Sequence, residues 1–249
     1  MQRFENRVVM VTGAGSGIGK ACARRLGGEG ARLCCLDVVD GRLRELAAEL
    51  ESEGIEHLTR VCDVSDENSV EDSVAACLAR FGRLDVLVHM AGVLRFDHTH
   101  ELALEDWKRL IDINVNGTFI VNKAVLPHLI ESEGNIVNAA STAAITGLPY
   151  GAAYSASKGA VRLFTRAIAV EYASRGVRAN SICPGDIKTN MTADIPFPKG
   201  MDRDLLQRTM SLTGPAGPDA VAAMVAAVAS DEGRHINGEE IRVDGGTLA

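Results

Sequence analysis

The stretch Gly13-Ala14-Gly15-Ser16-Gly17-Ile18-Gly19 constrains this chain more than any other. It stands between the apolar, β-branched run 7–12 and a segment in which Ile18, Ala21, Cys22, Arg25 and Leu26 recur at helical spacing. A strand that turns through glycines straight into a helix brings several backbone amides and the positive end of a helix dipole to one small volume, which suits a phosphate. The second strand, 31–36, closes on Asp37, at the distance beyond the glycine turn where a carboxylate can accept hydrogen bonds from ribose hydroxyls and repel a 2′-phosphate. Asp40 offers itself as the N-cap of the helix that follows at 40–53, which would leave Asp37 free for a ribose.

The alternation of strand and helix continues. Strand 57–62 ends in Asp63-Val64, and Val70, Val74, Cys77, Leu78 and Phe81 then mark a helix; strand 84–90 runs out into Ala91-Gly92. A helical stretch at 104–130 holds Asn114, Asn116 and Pro127, where local irregularity is expected because Asn side chains compete for backbone hydrogen bonds. Strand 135–140 delivers Ser141, a helix spans 154–174, and strand 177–183 stops at Pro184-Gly185. A small-residue helix at 219–229 and a strand at 240–243 complete the chain. Such alternation implies right-handed crossovers and a parallel sheet with its ligand crevice at the carboxyl edge. The expected architecture is a single α/β domain over 1–249: a Rossmann-type doubly wound parallel sheet of about seven strands with helices on both faces. Segment 189–213, with Pro196, Pro198 and Gly200 and weak periodicity, is a candidate substrate lid.

Charge and cysteines exclude several partners. A net charge of −7 with pI near 5.4 offers no basic face, so neither nucleic acid nor an anionic membrane is expected. No apolar run reaches the ~18 residues of a membrane helix. The six cysteines, at 22, 34, 35, 62, 77 and 183, lie mostly in apolar runs without CxxC pairs or Cys/His ligand spacing, so buried thiols are expected and no metal site. With no signal-peptide pattern at the start, the expectation is a cytoplasmic protein.

Tyr154 and Lys158 carry the chemistry. Four positions apart on a helix, they lie about one turn apart on one face. A phenol with an ordinary pKa of ~10 exchanges protons poorly near neutrality, and a neighbouring cation favours its phenolate. Ser141, at the carboxyl end of a strand, is expected at the same crevice.

Taken together these residues resemble the short-chain dehydrogenase/reductase family in its common form of about 250 residues. Thr12 to Gly19 is similar to the family's TGxxxGIG turn, Asp63-Val64 to its adenine-site pair, and Asn114, Ser141, Tyr154 and Lys158 to its catalytic set, with Tyr154 following Ser141 by 13 residues. Pro184 to Thr189 resembles the PGxIxT segment, and Val243-Asp244-Gly245-Gly246 the C-terminal signature. The resemblance implies an NAD-dependent oxidoreductase that interconverts a secondary alcohol and a ketone. Tyr154 would be general acid and base, Ser141 would stabilise the substrate oxygen, Lys158 would lower the Tyr154 pKa and bind the nicotinamide ribose, and Asn114 would hold a water linked to Lys158. Gly13, Gly15, Ser16, Gly17, Ile18, Asp37, Asp63, Val64, His89, Ala91, Gly92, Pro184, Ile187 and Thr189 would contact the cofactor together with Tyr154 and Lys158. A homodimer or homotetramer is implied, built from helices 104–130 and 154–174. Where the family usually reads Asn-Asn-Ala-Gly, this chain has His89-Met90-Ala91-Gly92, and the expectation for His89 is a buried, hydrogen-bond-satisfied ring. Asp186 is an unusual acid beside the nicotinamide pocket, and Tyr150 is expected to wall the substrate site. Two alternatives are a 3-oxoacyl thioester reductase, against which Asp37 counts because such enzymes commonly use NADPH, and a non-catalytic NAD-binding sensor or scaffold.

Overall fold

A computed structural model describes residues 2–193 and 195–249. Seven parallel strands form one sheet: β1 Val8–Thr12, β2 Arg32–Asp37, β3 His57–Val61, β4 Val86–His89, β5 Asn135–Ala139, β6 Arg178–Pro184 and β7 Glu240–Val243. Their spatial order is β3-β2-β1-β4-β5-β6-β7. The order reverses between β1 and β4, so the chain leaves the adjacent carboxyl ends of these strands in opposite directions and opens a crevice there.

Alternation along each strand sends side chains to two cores. Val9, Val11, Val86 and Val88 pack toward α1 (Gly17–Gly28), α2 (Asp40–Ser52) and α10 (Pro218–Ala229). Their neighbours Val8, Met10, Leu87 and Ile136 pack toward α3 (Glu67–Phe81), α5 (Gly117–Ser132) and α7 (Ala152–Glu171). All six cysteines are buried free thiols, as their apolar settings predict.

Three local features differ from, or refine, the sequence expectation. The residue before α2 is Val39, and Asp40 sits inside the first turn, paired with Arg44 at 2.9 Å rather than capping. Asp37 takes the turn instead, accepting from the Val39 amide at 3.0 Å and the Gly15 amide at 2.9 Å. The carboxylate expected to be free therefore already holds two backbone donors. The helical stretch beginning at Leu104 is α4 (Leu104–Ile111) joined to α5 through a π-turn at Asp112–Asn116, which is the irregularity expected around Asn114. Helix α7 starts two residues before Tyr154 and ends at Glu171, with Ala173–Arg175 in a 3₁₀ turn. The remaining helices, α6 (Ala143–Thr146), α8 (Asn190–Ala193) and α9 (Asp204–Gln207), are single turns near the carboxyl edge.

Candidate active site

The crevice holds two cavities joined through Ile18, Met90, Gly92, Thr189 and Met191. The first, of about 450 Å³, is a groove along the glycine turn. Gly13 has φ +64°, and a side chain there would meet the Ala91 amide nitrogen at 2.9 Å; at Gly19 it would meet the Gly13 carbonyl at 2.1 Å. Backbone therefore packs on backbone, and the turn amides stand at the N-terminus of α1, where a phosphate is favoured. Ser16, Gly17 and Ile18 line this floor, Asp37 stands at one wall beside Arg42, and Asp63 and Val64 stand at another. The Asp63 carboxylate holds the Ser65 amide and hydroxyl at 2.9 and 2.6 Å, and Val64 packs where Gly117 has no side chain. Gly15 contributes through its amide bond to Asp37 and Ala91 through its seat against Gly13. Glycine cradle, ribose-edge acid and helix N-terminus fit a dinucleotide.

The second cavity, of about 370 Å³, is where Ser141, Tyr154 and Lys158 meet, with Pro184, Ile187 and Thr189 also in its walls. Ser141 follows β5 directly; the Ala140 amide bonds the Ile182 carbonyl at 2.8 Å and the Thr142 amide bonds the Pro184 carbonyl at 3.0 Å, so the strand end is fixed against β6. Lys158 is 5% exposed, and its Nζ lies 5.8 Å from the Tyr154 ring centroid while donating to the Ala139 carbonyl at 2.7 Å. Burial pushes the Lys158 ammonium down to about 8. Burial likewise raises the Tyr154 phenol, and the Ser141 hydroxyl opposes that rise. The lowered phenol expected from a neighbouring cation is therefore not the balance here: removal from water outweighs the partial compensation from Ser141.

Asn114 is held by protein partners on both ends of its side-chain amide. In the π-turn its Oδ1 accepts the Val93 amide at 2.8 Å, and its Nδ2 donates to the Val93 carbonyl at 2.9 Å and Ser157 Oγ at 3.0 Å. Both amide hydrogens are engaged, so the side chain anchors the loop after Gly92. Ser157, which sequence reasoning missed, is buried and donates to the Tyr154 carbonyl at 2.7 Å. Its place three residues after Tyr154, one turn along the same helix, was the available signal.

His89 does not reach the groove. It lies beneath it, 1% exposed, with Nδ1 at 2.9 Å from Thr12 Oγ1 and Nε2 without a hydrogen-bond partner among the described residues. The expectation of a satisfied ring is met on one nitrogen only. Thr12 Oγ1 also accepts the Ala91 amide at 3.2 Å, so His89, Thr12 and Ala91 tie β4 to β1 under the turn. Burial, with Lys158 nearby, pushes His89 down to about 3. The folded pKa is thus below the unfolded value of ~6.5, the unfolded chain binds the proton first, and stability is lost as pH falls from about 6.5 toward 3. Denaturant unfolding between pH 6.5 and 4.5 should show a slope ~1.4 kcal/mol per pH unit steeper for the native sequence than for His89→Asn. Parallel slopes would place the acid sensitivity elsewhere.

Tyr150, expected in the cavity wall, acts as a strap. At φ +61° it accepts the Asp202 amide on its hydroxyl and the Asp97 amide on its carbonyl, each at 2.8 Å, with its ring edge-on to His98. The segment it holds supplies Phe197, Leu206 and Met210 to the cavity.

A family model described as Enoyl-(Acyl carrier protein) reductase matches residues 13–247. The meso-2,3-butanediol dehydrogenase of Serratia marcescens is 41% identical over 99% of this chain and 96% of its own length. A short-chain dehydrogenase of Burkholderia cenocepacia J2315, solved in complex with NADP, superposes with a TM-score of 0.89 at 32% identity, covering 99% of this chain and 100% of that one. A 3-ketoacyl-(acyl-carrier-protein) reductase of Brucella melitensis, solved with NADH, gives 0.89 at 28% identity over 98% and 99%.

Proposed function

We propose, from the premise that this chain belongs to the short-chain dehydrogenase/reductase family, that it interconverts a secondary alcohol and a ketone with NAD(H), using Tyr154 as proton donor and acceptor. That it is an oxidoreductase acting on CH–OH groups follows from its family and relatives; the cofactor choice and residue roles are our reading. One observation carries that reading: Ser141, Tyr154 and Lys158 share a cavity that opens into the glycine groove. Bound in that groove, a nicotinamide dinucleotide supplies or accepts the hydride. Tyr154 gives a proton to the carbonyl oxygen in reduction and takes it from the hydroxyl in oxidation. Ser141 donates a hydrogen bond to the same oxygen as its charge develops. Lys158 holds the ribose hydroxyls, and its ammonium stabilises the phenolate whenever Tyr154 has lost its proton. Asn114 and Ser157 act one layer back, fixing the Gly92–Val93 backbone to α7.

Asp37 supports NAD(H), since a 2′-phosphate would face its carboxylate. Arg42 lines the same groove and offers a partial counterweight. A screen of secondary alcohols and ketones, followed at the reduced nicotinamide band with both cofactors, should favour NAD(H) by at least about tenfold in kcat/KM, or ~1.4 kcal/mol. Equal use of NADP(H) would overturn the assignment to Asp37. In the same titration NAD(H) should protect segment 189–213 from protease, as a lid would require; unchanged cleavage would make it a fixed wall. A 3-ketoacyl-(acyl-carrier-protein) reductase of Brucella melitensis was solved with NADH, which weakens the cofactor argument against a 3-oxoacyl thioester substrate, so the screen includes one.

The dimer or tetramer reading is supported by Phe119, Leu163 and Val170, which stand more than half exposed on α5 and α7. Sedimentation should give at least twice the chain mass of 26.4 kDa; a monomer at micromolar concentration would retire it.

A further inference from the structure

Charge inside the catalytic cavity is sparse and unevenly placed. Leu94, Phe96, Leu148, Phe197, Leu206 and Met210 give it an apolar body. Among the described residues that line it, Lys158 is the only base and Asp186 the only acid. Lys158 is bonded to the Ala139 carbonyl. The side chain of Asp186 has no hydrogen bond or ion pair among the described residues. Its backbone, by contrast, is firmly held. The Asp186 carbonyl accepts the Ala216 amide at 3.1 Å, the Lys188 amide donates to the Ala216 carbonyl at 2.9 Å, and the Gly185 amide donates to the Val243 carbonyl at 3.0 Å. Ile187 bridges Ala216 between them and is buried in the core.

An acid carried on fixed backbone, with no side-chain partner among the described residues, lining a cavity whose other walls are apolar side chains, several hydroxyls and Lys158, is poorly matched to a purely apolar ligand. Closing such a ligand over it removes water and supplies no donor in return. A ligand with a hydroxyl of its own supplies that donor, and a hydrogen bond to a charged acceptor is among the stronger ones. We propose that Asp186 is a specificity-determining residue that accepts a hydrogen bond from a second hydroxyl of the substrate, so that the enzyme selects diols, and the hydroxyketones they form, over mono-alcohols of the same carbon skeleton. The inference rests on the alcohol–ketone reading above and deepens it. The reacting oxygen lies between Ser141 and Tyr154, the second hydroxyl lies toward Asp186, and the apolar walls take the carbon skeleton.

The test compares cyclohexanol with the isomeric cyclohexanediols, which vary the separation of the two hydroxyls on one skeleton, in the native enzyme, Asp186→Asn and Asp186→Ala. The best diol should exceed cyclohexanol in kcat/KM by about 10- to 100-fold, the range of a hydrogen bond to a charged group. Both variants should lose at least about tenfold of that ratio, Asp186→Ala more than Asp186→Asn. Binding gives a second readout that needs no turnover. With the enzyme saturated by NADH an alcohol cannot react, and calorimetry on that dead-end complex should show the same loss of preference in Kd. Equal handling of diol and mono-alcohol by the native enzyme overturns the proposal. So does a parallel loss on both substrates with weakened NAD⁺ binding, which would assign Asp186 to the cofactor. If no alcohol is turned over but the dead-end complex still prefers the diol through Asp186, the site assignment stands and the reaction reading fails.

Discussion

Replacing Tyr154 by Phe should lower kcat on the best alcohol by about 10²- to 10⁴-fold, the range that a positioned general acid or base contributes. The substitution removes one hydroxyl from a ring whose backbone is otherwise held by Ser157 and the first turn of α7, so unfolding and NAD(H) binding should change little. Burial raises the phenol in this structure and lowers Lys158 to about 8. The two shifts run against ready formation of a phenolate beside an ammonium, so proton transfer must be helped by charge that arrives with the ligands. In the oxidative direction the Tyr154-dependent rate should accordingly rise with pH as the phenol becomes able to accept a proton, and Tyr154→Phe should flatten that rise. Full turnover in the variant, measured on the same substrate, would remove Tyr154 from the mechanism.

The second large effect is expected at Gly13. A Val there would place a β-branched residue at φ +64° and bring its Cβ to 2.9 Å from the Ala91 amide nitrogen. The left-handed conformation costs an L-residue roughly 1–2 kcal/mol, and the overpacking a further ~1–3 kcal/mol. Neither partner can yield cheaply, because Ala91 is tied by its amide to Thr12 and Thr12 to His89. Gly13→Val should therefore lose about 2–5 kcal/mol of stability, or relieve the clash by displacing the turn and forfeit cofactor binding. Denaturant melts and a cofactor titration together detect either result; native values in both would mean that the turn is far softer than its packing implies.

Much of this fold was legible because its signals are local and repeated. The apolar runs of β1, β4 and β5 alternate with helices, and the glycine turn marks where the first strand passes into a helix. Strand ends fall within a few residues of the periodic pattern. What was not legible depends on contacts made at a distance or on competition between equivalent groups. Asp37 and Asp40 are both acids near the start of α2, and sequence alone does not say which one takes the turn; Asp37 does so because the Gly15 amide is also within its reach. The irregularity at Asn114 could be anticipated from its amide, but not its form as a π-turn or its bonds to Val93 and Ser157, far away in sequence.

The site shows the same division. Ser141, Tyr154 and Lys158 could be brought to one crevice by spacing and topology, and they line one cavity. The direction of Lys158 toward the Ala139 carbonyl, the His89 nitrogen that has no partner among the described residues and the strap at Tyr150 could not be read from residue types, because each depends on where a neighbouring strand or loop presents its backbone. Burial is the other hidden quantity. Spacing alone suggested a phenol lowered by its neighbouring ammonium, whereas desolvation of both groups decides the balance in the folded chain.

The central claim is hydride transfer between a carbinol carbon and a nicotinamide, and deuterium reads it directly. The native enzyme should be given NAD⁺ and a secondary alcohol that turns over, deuterated at the carbinol carbon, and the nicotinamide product analysed by mass spectrometry and proton NMR. The account predicts one deuterium on the nicotinamide ring, on a single face, with none released to solvent. Deuterium appearing in water, or reduced cofactor without the label, would contradict it.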